Sequence, residues 1–151
     1  MPPTPFVIVG LGVLLHLFLG HWVSCPWLVP DVTLVSMVCA MLRTAGSPLM
    51  LALLGGCLTM LFTARHPLLV GMAYVGAGWL VAQLARRWDL TEASMQRAAV
   101  GLTETLLVAV WLLLDGPVSL RLMLLSGLRV FLTLACLPLA RYLVGVAGRA
   151  G

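Results

Sequence analysis

Six continuous apolar runs, each about 16 to 23 residues long, dominate this chain. A helix needs about 20 apolar residues, within a range of roughly 17–25, to cross the hydrocarbon core of a bilayer. Charges and Pro/Gly breaks set the runs at residues 6–23, 27–42, 48–64, 67–85, 97–114 and 122–144. The second is the shortest. The runs do not alternate between apolar and polar residues, which excludes a transmembrane β-barrel. Pro48 and Pro67 stand at expected helix starts, where a missing N–H costs nothing. Gly55-Gly56 is expected to break the middle of the third run, and residues 116–121 (Gly-Pro-Val-Ser-Leu-Arg) read as a turn.

Composition points the same way. Of the 151 residues, 62% are hydrophobic and only 9% charged, against roughly 45–50% and about 25% in a soluble domain. So few charges cannot cover a soluble surface of this size. A soluble domain, a disordered chain and a nucleic-acid binder are all disfavoured. The expectation is an all-α integral membrane protein, a single domain over residues 1–151 with six helices, or five if the second run only dips into the bilayer. No soluble domain is expected. The apolar start lacks the basic n-region of a signal peptide and reads as a retained helix.

Arginine placement predicts orientation. All nine basic residues are Arg. Arg43, Arg86, Arg87, Arg97, Arg141 and Arg149 fall on one side of the expected topology, while Arg65 and Arg121 fall on the other. The positive-inside rule makes the six-Arg side, with the C-terminus, cytoplasmic. Residues 86–96 read as the longest connection, an amphipathic turn on that side. Trp22, Trp27, Trp79, Trp88 and Trp111 fall mostly near predicted interfaces, as an aromatic belt does.

No enzyme signature is visible: there is no HExxH, GxSxG, phosphate loop or carboxylate cluster. The expectation is a non-enzymatic protein with no cofactor. Cys25, Cys39, Cys57 and Cys136 form no CxxC pair, and His16, His21 and His66 make no metal set. His16 is expected to hydrogen-bond across helices.

Charges within apolar runs are more informative, because each costs at least about 2.5–3.5 kcal/mol at the bilayer centre. Glu104 and Arg129 are the candidates. Helical rise puts Glu104 roughly 10 Å, and Arg129 about 18 Å, from the cytoplasmic end of their helices. That gap is near the reach of an Arg side chain, and the two helices are joined by a short turn. They are expected either to pair or to find separate contacts. If they pair, losing one should harm folding more than losing both.

Pro30 and Asp31 are candidate helix-start or interface residues. Capping by itself explains an acid at the positive end of a helix. Gly71, Gly78 and Ala82, with Ala73, Gly76 and Ala77, form a candidate helix-packing face.

The order of these features resembles the rod shape-determining protein MreD family of bacterial inner membranes. The resemblance rests on a Pro-led second helix (Val29-Pro30-Asp31-Val32-Thr33-Leu34), the loop Arg43-Thr44-Ala45-Gly46-Ser47-Pro48 and a Gly-containing third helix (Leu53-Leu54-Gly55-Gly56). It also rests on a fourth helix ending in Arg86-Arg87, and on a last helix with Pro138 and a terminal Arg141. It covers most of residues 27–143. The family's acidic residue and Ser-Gly turn after the third helix have no counterpart in Thr59–His66.

The resemblance implies a scaffold of the cell-elongation machinery that binds MreC, a single-span periplasmic protein. Through MreC it would connect with RodA, a class B penicillin-binding protein and MreB, and so with peptidoglycan synthesis. It also implies a fold like the substrate-binding subunit of energy-coupling-factor vitamin transporters. That analogy supplies the alternative, a small-molecule transport subunit with an outward pocket near Asp31, Arg65, His66, Asp115 and Arg121.

Overall fold

The structure, a computed structural model, describes residues 4–42, 48–63, 66–90, 92–115 and 119–149. The 43–47 connection with Arg43, residues Arg65 and Thr91, the 116–118 turn and the side chains of Asp115 and Arg149 lie outside this description. Among the described residues there are six α-helices and no strand: α1 (Pro5–Trp22), α2 (Val32–Met41), α3 (Pro48–Phe62), α4 (Pro67–Arg87), α5 (Ala93–Asp115) and α6 (Leu120–Arg149). A short 3₁₀ turn, Pro26–Leu28, precedes α2.

Helices α1, α4, α5 and α6 are each long and apolar enough to cross a membrane. The chain is an all-helical membrane protein. Its outward faces carry large apolar side chains: Leu113 is 82% exposed, Leu120 74% and Trp22 72%. Water does not tolerate apolar cover on this scale; lipid or partner helices do.

The second run departs most from its expected form. It is not one helix over residues 27–42. Its helical part is ten residues long, about 15 Å, half of a hydrocarbon core of about 30 Å. Pro30 lacks an N–H and restricts the residue before it, so helix cannot propagate from the 3₁₀ turn into α2. The remaining helix lies in the middle of the bundle, where it touches all five other helices. Residues 33–40 are all buried. Irregular backbone at membrane depth is tolerated only inside protein, and residues 29–31 have that cover.

Three other boundaries differ. Helix α3 runs unbroken through Gly55-Gly56. These glycines are contact points: a Cβ on Gly56 would lie 2.7 Å from the Gly71 carbonyl oxygen of α4. Helix α5 begins at Ala93, four residues before Arg97. Charge marks where apolar sequence starts, not where helix starts, and the polar first turn is held by Gln96 Nε2 donating to the Leu90 carbonyl at 2.5 Å. Helix α6 runs from 120 to 149 through Pro138; membrane helices tolerate such a residue.

The buried residues of α5 fall at 96, 99, 100, 103, 104, 107 and 108, one face of a helix. On α6 they are Ser126, Arg129, Thr133 and Leu137. Both inward faces are the more polar ones. Glu104 and Arg129, the two charges within these apolar stretches, are both turned inward.

Candidate functional site: a buried charge cluster at the start of α2

The break before α2 creates a helix N-terminus inside the bundle. Its free N–H groups and positive dipole end need acceptors. Asp31 supplies one: its Oδ1 accepts from the Leu34 N–H at 2.9 Å. The Asp31 N–H is itself satisfied by Thr133 Oγ1 of α6 at 2.9 Å. On the far side of the break, His16 Nδ1 of α1 lies 3.2 Å from the Pro30 carbonyl oxygen, an acceptor, so that nitrogen carries the hydrogen.

A carboxylate placed so deep must be compensated. Asp31 is wholly buried. Its second oxygen accepts from the Tyr74 hydroxyl of α4 at 2.5 Å and from Arg129 Nη2 of α6 at 3.2 Å. Arg129 also reaches α5, where its Nε donates to Glu104 Oε1 at 2.8 Å. Glu104 is wholly buried too, and its other oxygen, Oε2, has no hydrogen-bond partner. Four of the six helices therefore meet through one guanidinium and two carboxyl groups.

Three of the residues singled out in the sequence, Asp31, Glu104 and Arg129, come together here. Asp31 caps α2 and in addition pairs with Arg129, so capping alone does not account for it. Pro30 contributes the break and a carbonyl. Tyr74 and Thr133 were not singled out. A signal for each exists in the sequence. Thr133 is four residues after Arg129 and shares its face. Tyr74 is a hydroxyl in mid-helix, which needs a partner when buried.

The small-residue face of α4 divides. Gly71 and Gly78 press against α3, where a Cβ on Gly71 would lie 3.1 Å from Met60 Cβ and one on Gly78 would collide with Ala52. Gly76 looks outward with nothing within 4 Å, and Ala82 is only half-buried. His66 and Arg121 are exposed at helix starts away from the cluster.

Among the described residues, one cleft runs along the C-terminal half of α4 over Trp79, Leu80, Gln83, Leu84 and Arg87, and two further clefts are apolar. Of these two, one lies between α3 and α4 over Gly56, Cys57, Gly71 and Trp79. The other lies between α4 and α5, where Thr103 is its one polar lining residue, and that hydroxyl already donates to the Ala99 carbonyl at 2.7 Å. None of the three is lined by a residue of the charge cluster. No family model, curated protein or solved structure matches the chain.

Proposed function

We propose that this chain is a non-enzymatic scaffold of the cell-elongation machinery in the bacterial inner membrane, with its C-terminus in the cytoplasm. In this reading it binds an MreC-like single-span periplasmic protein. Through that protein it contacts RodA, a class B penicillin-binding protein and MreB, and helps organise peptidoglycan synthesis. The order of sequence features that resembles the MreD family supports it, as does the arginine distribution.

The observation that carries the reading is where the polar groups are. In the middle of the bundle, Asp31, Tyr74, Glu104, Arg129 and Thr133 bond to one another and line none of the clefts described above. A small-molecule site needs convergent polar groups aimed into a cavity. Here the mid-membrane helix start, which in transporters receives substrate, already holds the chain's own Asp31 carboxylate. Among the described residues, the broad outward faces of the helices are apolar surface, suited to another membrane helix.

Co-purification of the tagged chain from its own membranes in a mild detergent tests this. Recovery of a single-span periplasmic protein together with cell-wall synthesis enzymes is the expected result. Recovery of paired ATPases with a second membrane subunit overturns it in favour of the transport reading.

A further inference from the structure

The cluster has one guanidinium and two carboxyl groups, all buried. Arginine keeps its charge in proteins, so two ionised acids would leave one uncompensated negative charge in the core of a membrane protein. Such a charge is expensive. We infer that the cluster is a proton-binding site and that Glu104 holds the proton.

The hydrogen bonds decide between the two acids. Asp31 accepts three hydrogens, from the Leu34 N–H, the Tyr74 hydroxyl and Arg129 Nη2. That is the environment of an ionised, acceptor-only carboxylate. Glu104 accepts one, from Arg129 Nε, and its Oε2 is closed off with none. An ionised oxygen there is an orphan acceptor. Protonated, the group is neutral and that oxygen is no longer an unpaired anionic acceptor.

The other titratable groups packed around the cluster are few. Tyr74 of α4 donates to Asp31. The buried face of α3 (Leu51, Ala52, Gly55, Gly56, Thr59) has no titratable group. On α1, His16 is the one other candidate. As an imidazolium it would balance the second carboxylate from the half-buried side of the Pro30 carbonyl. Its single bond goes to a neutral carbonyl, not to a carboxylate, so the geometry favours Glu104. The site belongs to the bundle's own core and does not depend on the partner proposed above.

Infrared spectroscopy of the full chain in lipid nanodiscs at neutral pH tests the inference. The chain is made by cell-free synthesis with either glutamate or aspartate carrying a ¹³C side-chain carboxyl. The only other glutamate, Glu92, is exposed. A protonated-carboxyl C=O band is expected in the unlabelled chain and in His16→Gln. It should shift with labelled glutamate, stay in place with labelled aspartate, and vanish in Glu104→Gln. No such band in the unlabelled chain, its loss in His16→Gln, or a shift with labelled aspartate instead overturns the assignment.

The thermal readout follows by linkage. The folded state keeps a proton that the unfolded chain releases above the ordinary glutamate range, so melting temperature falls as pH rises. In Glu104→Gln this fall is lost. An equal fall in that variant also contradicts the assignment.

Discussion

Arg129 Nη2 lies 3.2 Å from Asp31 Oδ2 although the two residues are 98 positions apart in the chain. The contact ties the start of the central helix α2 to α6, and the same guanidinium holds Glu104 on α5. It has a simple origin. Pro30 breaks a helix inside the bundle, the new helix start needs an acceptor, which Asp31 supplies, and a buried carboxylate needs a cation.

Arg129→Gln is expected to cost about 3–5 kcal/mol, the usual effect of stranding a buried charge. Adding Glu104→Gln recovers little, because Asp31 remains without its cation. Adding Asp31→Asn recovers more. Because Arg129 has two partners, the simple expectation that losing Glu104 and Arg129 together is milder than losing one no longer holds. Melting temperature and monodisperse yield in mild detergent check the series. Equal recovery in both double variants contradicts the three-residue arrangement.

Tyr74→Phe removes one donor from a buried carboxylate and little else. Hydrogen bonds to charged groups contribute about 1.5–3 kcal/mol, and a loss of that size is expected. The check is a melting comparison with Tyr142→Phe, whose side chain is exposed on α6 and 68% accessible; that change should be close to neutral.

Thr133→Val keeps the side-chain shape but removes the acceptor of the Asp31 N–H. A buried N–H left unpaired costs about 1–3 kcal/mol. Thr133→Ser should recover most of the loss. Thermal melting distinguishes the two variants, and equal destabilisation by Val and Ser counts against the hydrogen bond as the cause.

Helix α4 offers an internal control for close packing. A Cβ at Gly78 collides with Ala52 of α3, whereas one at Gly76 meets nothing within 4 Å. Gly78→Val is therefore expected to destabilise by about 1–3 kcal/mol or more through overpacking. Gly76→Ala should fall within about 0.5 kcal/mol of the parent chain. Folded yield after heating in detergent separates them.

The sequence by itself determined the class of structure. Long apolar runs with few charges can only be membrane helices, because the bilayer requires every backbone group to be satisfied within the segment. It also marked Asp31, Glu104 and Arg129, since a charge in an apolar run is costly enough to need a partner. Helix ends were less legible. The start of α5 at Ala93 rather than Arg97 shows a polar turn continuing a helix beyond its apolar stretch.

Only the tertiary structure decided that the shortest run is the central helix, that its start lies at mid-bundle, and that Tyr74 and Thr133 complete the cluster. The reason is physical. In a soluble protein the apolar side of a helix identifies its buried face. In lipid the surroundings are as apolar as the core, so the apolar pattern does not say which face turns inward. That choice is made by polar contacts and close packing between helices, at Arg129 with its two acids and at Gly78 against Ala52, and both require all the helices to be in place.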